Sequence, residues 1–296
     1  MVLSKRPAHA APYGRAMVVT IERERLLLTA PVSERRIEVA GIPTAVVEAG
    51  TGPPMVLLHG PGAHAAAWLP AIPALAAGHR VIAPDLPGHG ATSTGAEPLD
   101  VDRTLAWLDA LIDRTCASPP VLVGQLVGGA IAARFAADTP GRVHSLVLVV
   151  PFGLAPFAPA PEFGAALTGY LTDPTGPSHD ALWRLCVRDL DDVRSRLGAR
   201  WDALRAYNLT LARTPAAAGA LQRLLELFAA TPIPDEVLAR IAVPTTLVWG
   251  RADAIVPVSV GEAAAARFGW PIRILDNAGN EPAIEDPDAF VAAVTS

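Results

Sequence analysis

Short apolar runs alternate with helical patterns along most of this chain, and that alternation restricts the fold more than any other feature. Met55–Leu58, Arg80–Ala83, Val121–Val123, Ser145–Val150, Thr245–Trp249 and Ile272–Leu275 are nearly unbroken apolar runs. Strands that face water on one side alternate; unbroken runs suit parallel strands covered on both faces. Between them, Asp102–Arg114 places Leu105, Leu108, Leu111 and Ile112 on one helical face. Gly128–Asp138 is alanine-rich and stops at Thr139-Pro140-Gly141, a helix terminator. Ile37–Ala40 and Thr44–Glu48 flank Gly41-Ile42-Pro43 in the manner of a hairpin. The pattern predicts an α/β fold built on a mostly parallel, doubly wound sheet.

The alternation breaks between Pro151 and Pro232. After a proline-rich stretch the pattern is helical throughout, with helices predicted at Glu162–Leu171, His179–Arg188, Ala199–Arg213 and Ala216–Ala230. Residues 155–232 are therefore expected to form a helical lid inserted into a core made of 35–154 and 233–296. Tyr170, Trp183, Trp201 and Tyr207 are expected to pack inside that lid. Its arginines, Arg184, Arg188, Arg194, Arg196 and Arg200, are interleaved with acids and read as a solvated, salt-bridged face. Residues 1–34 read as an accessory tail with a short helix at Val18–Leu28; a tail without fixed structure is the competing reading.

Composition narrows the function. The 296 residues are 51% hydrophobic and 18% charged, which is incompatible with intrinsic disorder. A net charge of −5, from 29 acids against 24 bases, argues against nucleic acid as a partner. Two cysteines are too few for a disulfide framework, and none of the seven histidines has metal-ligand spacing with cysteines or acids. The sequence calls for no metal and no cofactor. No run is long and apolar enough to span a membrane. Lys5 and Arg6 precede some apolar residues, but Arg15 and the Glu22–Arg25 cluster break any signal-peptide core. A cytoplasmic protein acting on a small molecule is the expectation, with its oligomeric state left open.

Val121-Leu122-Val123-Gly124-Gln125-Leu126-Val127-Gly128-Gly129 carries a strand into a sharp turn and then a helix. Glycines stand two residues either side of a central residue, where strand and helix must approach closely. The segment resembles the nucleophile elbow, G-x-S-x-G, of the α/β-hydrolase superfamily. The resemblance extends along the chain from Glu34. His59-Gly60-Pro61-Gly62 looks like the oxyanion loop, and Asp85-Leu86-Pro87-Gly88-His89-Gly90 like the loop after the next strand. Gly250-Arg251-Ala252-Asp253 looks like the loop of the triad acid, and Asn277-Ala278-Gly279-Asn280-Glu281-Pro282 like the loop of the triad histidine. The implied fold is the α/β-hydrolase fold with an inserted helical lid.

The same resemblance puts Leu126 in the nucleophile position and Asn280 in the histidine position, leaving Asp253 as the remaining triad member. Leucine cannot attack a carbonyl, and an asparagine amide cannot serve as general base at neutral pH. The chain thus looks like an atypical member that has lost the serine and histidine. The resemblance implies an oxyanion donor at the Val127 N–H; the second falls at Pro61, which has no N–H, or at Gly62. Gln125 and His64 are further candidates for substrate contact. His59 and His89 read as structural.

If the pocket persists, Asp253 lies in dry surroundings with a raised pKa, suited to moving a proton without a covalent intermediate; a structural relic that accepts backbone N–H bonds in its loop is the equal alternative. Asn280 would orient it, and Glu281 is a second carboxylate, expected at the surface beside Pro282. The leading expectation is cofactor-free isomerase, epimerase, cyclase or lyase chemistry on a small molecule. A catalytically dead protein that binds a ligand or partner is the first alternative. A hydrolase whose water is activated by Asp253 is the second.

Overall fold

The computed structural model describes residues 12–296. Lys5 and Arg6, weighed above as part of a signal peptide, lie outside the described residues. Eight strands among the described residues form one sheet: β1 (Ser33–Val39), β2 (Ile42–Ala49), β3 (Pro54–Leu58), β4 (Arg80–Pro84), β5 (Val121–Gln125), β6 (Ser145–Val149), β7 (Thr245–Gly250) and β8 (Ile272–Leu275). The order is β1-β2-β4-β3-β5-β6-β7-β8. β2 runs antiparallel to both its neighbours, β1 and β4. From β4 to β8 every pairing is parallel. The predicted hairpin forms, with Val39 opposite Ile42. The central strands β3 and β5 are buried almost end to end, which is why their sequences carry no alternation.

Flanking helices cover both faces. In the first half these are α1 (Pro12–Leu27), α2 (Ile72–Leu75), α3 (Val101–Thr115) and α4 (Val127–Asp138). The predicted stripe on α3 holds in part: Leu108, Leu111 and Ile112 are buried and Leu105 is partly buried against the core. Asp100 caps α3 by accepting the Arg103 N–H. The β5–α4 turn is tight because its glycines admit backbone. A Cβ on Gly124 would stand 2.3 Å from the Gly128 carbonyl oxygen, and one on Gly128 would stand 2.4 Å from that of Leu58. Between them Leu126 is held at φ 49°, ψ −112°, a conformation L-residues rarely adopt.

The connection from β6 to β7 is helical: α5 (Pro161–Thr172), α6 (Gly176–Cys186), α7 (Leu190–Leu197), α8 (Ala199–Ala212), α9 (Pro215–Phe228) and the short α10 (Asp235–Leu238). The sequence pattern missed α7, an eight-residue helix capped by Asp189, whose carboxylate accepts the Asp191 and Asp192 N–H groups. Arg196 pairs with Asp192 at 2.8 Å and Arg194 with Asp180 at 2.6 Å, whereas Arg200 Nη2 donates to the Thr29 carbonyl at 2.6 Å. After β7 come α11 (Val258–Phe268), α12 (Pro282–Glu285) and α13 (Pro287–Thr295).

The segment ahead of β1 differs from an accessory tail. α1 starts earlier than expected and lies against α8, and its Leu26 and Arg23 are buried. Arg23, 3% exposed, pairs with Asp85 at 2.9 Å and Glu34 at 2.5 Å. Its Nη1 donates to the Tyr207 hydroxyl at 3.1 Å. A guanidinium so placed ties α1 to the core and to α8 together. No helix of the described residues is long and apolar enough to cross a membrane.

Candidate active site

The carboxyl ends of β3, β5, β7 and β8 converge, and the loops leaving them carry the residues singled out above. β5 delivers Gln125 and Leu126. The loop after β7 brings Asp253, and the loop after β8 brings Asn280 and Glu281. Beneath the β6–β7 helices lies a cavity of about 520 Å³. Most of its wall is apolar, with Leu126, Phe152, Leu167, Leu221 and Ile255 among its residues.

Leu126 is 6% exposed, and its side chain leans on the loop after β3: a Cβ on Gly60 would meet Leu126 Cδ1 at 3.2 Å. Pro61 and Gly62 line the cavity on that side, Gly62 at φ 71°. Val127 is the first residue of α4, so its N–H has no intrahelical partner. It is fully buried and outside the cavity wall.

Asp253 and Asn280 meet: Asn280 Nδ2 donates to Asp253 Oδ2 at 2.9 Å. Asp253 approaches Asn280 as the sequence reading had it, but it does not itself line the cavity. Its other oxygen accepts the Ile255 and Val256 N–H groups at 2.8 and 2.9 Å, so the carboxylate is already occupied. Asn280 lines the cavity and stands in front of it. Burial raises the Asp253 pKa to about 6 against the pull of those hydrogen bonds.

Glu281 is the larger correction. Expected at the surface, it lines the cavity. Its Oε2 accepts from Gln125 Nε2 at 3.0 Å, and the same amide donates to the Asn280 carbonyl at 2.9 Å. Burial is the main cause of a pKa raised to about 7, helped by Glu285 and Asp253 and opposed by Gln125. Glu285 turns inward too, accepting the N–H groups of Gly279, Glu281 and Arg188.

Burial also shifts the other ionisable groups on the wall. Burial lowers His64 to about 4 and lowers His89 as well. Burial pushes Tyr170 up and Cys186 well up. His64 bonds the Asn208 amide and His89 the Pro87 carbonyl, so neither wall imidazole has a hydroxyl or thiol as its partner. His59 is structural, as read from the sequence: its Nε2 accepts the Leu86 N–H and its Nδ1 lies 2.7 Å from the Gly60 carbonyl. Of the helical aromatics, Tyr170 and Trp183 reach the cavity, whereas Trp201 and Tyr207 pack behind it. No cluster of described histidines, cysteines and acids is placed to hold a metal.

The sheet order, the strained strand–helix turn and the loops at its carboxyl edge define a protein of the α/β-hydrolase fold. The chain belongs to the alpha/beta hydrolase family, whose profile matches residues 55–293. It is 30% identical over 258 residues to a pimeloyl-[acyl-carrier protein] methyl ester esterase of Aeromonas hydrophila, covering 83% of this chain and 95% of the relative. It is 34% identical over 225 residues to the magnesium-chelatase 30 kDa subunit of Rhodobacter capsulatus, covering 73% and 76%. Among solved structures, 2-hydroxy-6-oxo-6-phenylhexa-2,4-dienoate hydrolase from a Rhodococcus superposes with a TM-score of 0.75 at 26% identity, covering 88% of this chain and 95% of that one.

Proposed function

We propose that this protein acts on a small, mostly apolar molecule by cofactor-free proton transfer, with Glu281 as the acid/base group and no covalent intermediate. One observation carries the reading: the cavity wall holds the Glu281 carboxylate, hydrogen-bonded to Gln125 and pushed up by burial, together with a leucine where the elbow would present a nucleophile. A group titrating near the working pH both takes and returns a proton efficiently. Glu281 would remove a proton from carbon next to a carbonyl, the electron pair passing to the carbonyl oxygen, and then return a proton to carbon. Gln125 fixes the carboxylate through the 3.0 Å hydrogen bond, so its free oxygen is the one available to substrate. Asp253 and Asn280 would serve to hold the two loops together.

The relatives favour a second reading. They include an esterase and a dienoate hydrolase by name, which supports hydrolysis by a water that Glu281 deprotonates. The two readings separate in one experiment. Apolar arylacetate esters, whose α-carbon carries hydrogen, such as methyl phenylacetate, are incubated with the protein in deuterium oxide. Deuterium on the α-carbon of intact ester supports proton transfer; release of the acid supports hydrolysis. Both should vanish in Glu281→Gln. Activity that survives this change would remove Glu281 from the mechanism, and no turnover across the ester series would leave a ligand-binding role.

A further inference from the structure

Three carboxylates stand close enough to act on one another at the cavity, and they are not equally spent. Asp253 accepts from Asn280 Nδ2 and from the Ile255 and Val256 N–H groups. Glu285 accepts the Gly279 and Glu281 N–H groups on Oε1, at 2.8 and 3.0 Å, and the Arg188 N–H on Oε2 at 2.6 Å. Glu281 accepts on Oε2 alone, from Gln125. Gln125 is fixed in turn, because its Nε2 also donates to the Asn280 carbonyl at 2.9 Å. Glu281 Oε1 accepts nothing among the described residues. It keeps surface open to the cavity that Glu281 lines, which the unpaired Nδ1 of His64 and Nε2 of His89 do not.

The field at that oxygen has one sign. The charges that act on Glu281 are those of Glu285 and Asp253, and both strengthen its hold on a proton. Among the described residues, no arginine or lysine lines the cavity, and Arg188, whose N–H Glu285 takes, is itself exposed. The wall imidazoles, His64 and His89, are neutral because burial lowers them, and the Cys186 thiol keeps its proton because burial raises it. A carboxylate in apolar surroundings without a counter-ion is costly, and either a proton or a cation brought from outside relieves that cost. The rest of the wall, with Phe152, Phe163, Leu167 and Trp183, suits an apolar body. Aromatic faces also attract a cation in preference to a neutral group.

We infer that the cavity takes an apolar amine, whose ammonium group pairs with Glu281 Oε1, and turns away an apolar acid of the same shape. The protons balance. A free amine takes the proton that Glu281 holds, giving ammonium against carboxylate with no net charge added to the cavity. An ammonium ion arriving from water sends that proton to solvent instead. Low-dielectric surroundings strengthen the pair once it has formed. This rests on the reading that the cavity takes a small molecule, and it adds the charge which that molecule carries. For proton transfer at carbon, it points to a substrate whose acidic carbon bears the amino group, since pairing seats that carbon beside the carboxylate.

The test uses the full chain and three probes of one shape at about pH 8, where an alkylamine carries its charge. They are 4-phenylbutylamine, a cation; 4-phenyl-1-butanol, which is neutral; and 4-phenylbutanoate, an anion. Titration calorimetry should show the amine bound about tenfold more tightly than the alcohol, the size of one hydrogen bond to a charged partner, and the acid more weakly than the alcohol. Glu281→Gln keeps the shape of the side chain and removes its charge. It should bring the amine down to the alcohol's affinity and leave the alcohol's own affinity unchanged. An amine no tighter than the alcohol, or an acid as tight as the amine, overturns the inference and leaves the small-molecule reading standing. A preference for the amine that survives in Glu281→Gln overturns it too, because the selecting charge then lies elsewhere. Binding of none of the three overturns both. The alcohol reports whether the variant's cavity is intact; if Glu281→Gln loses it, the same comparison in Glu281→Ala decides by the same outcomes.

Discussion

Among single side chains, Glu281 makes the sharpest demand on experiment. The folded protein keeps its proton to about pH 7, whereas an ordinary glutamate releases it near 4.5. A group whose pKa rises on folding contributes stability that is complete below the lower value and lost as pH climbs through the upper one. Glutamine does not titrate. Melting curves of Glu281→Gln and the parent should therefore diverge in the variant's favour between pH 4.5 and 7, by on the order of 1–3 kcal/mol. The buried histidines pull the opposite way in both proteins and cancel in the difference. Parallel curves would show that the carboxyl is not held protonated. Leu126 and Asn280 invite the reverse substitution. Leu126→Ser with Asn280→His places a hydroxyl at the strained turn and an imidazole against Asp253. Hydrolysis of p-nitrophenyl acetate should rise by about two orders of magnitude over either single variant if donors remain aligned. No rise would mean that the loop at Gly60, against which Leu126 leans, has closed over the donor position.

For elements, the strand–turn–helix unit and α1 are the informative pair. Gly128→Ala forces a Cβ to within 2.4 Å of the Leu58 carbonyl, a contact that only backbone movement relieves. The variant should melt well below the parent, with a loss of about 2–4 kcal/mol, while Gly219→Ala, which meets nothing within 4 Å, should not. Arg23→Met removes the cation buried against Asp85 and should cost about 3–5 kcal/mol in denaturant unfolding, because the carboxylate is left without its counter-ion. A loss under about 1 kcal/mol would mean that Asp85 is satisfied by its two backbone donors, Ala65 and Ala91. The strands and the turn were legible in the sequence because sterics writes them locally. A buried parallel strand must be apolar on both faces, and a tight strand–helix junction must have glycine where carbonyls intrude. α7 was not legible, since eight mostly polar residues with only three apolar ones among them carry too little period to stand out from a loop. The docking of α1 was not legible either, because it depends on Tyr207, which follows Arg23 at a separation of 184 residues.

For the molecule as a whole, the site was legible as a set of loops but not as a set of surfaces. Gly124, Leu126, Asp253 and Asn280 could be placed from the elbow and the loop patterns. That Glu281 faces the cavity and Asp253 does not depends on how the chain turns after β8 and where the β6–β7 helices sit above it. No local pattern beside Pro282 records that. The arrangement as a whole predicts that a fluorophosphonate probe leaves the protein unlabelled, read by intact mass; an adduct on any residue would restore acyl chemistry to the account. Val19, on α1, belongs to the cavity wall, and one turn further along Arg23 neutralises Asp85. A protease nicking the chain within that helix would breach the chamber and strand a buried anion in a single cut. Ligand retention and shelf life would fail together.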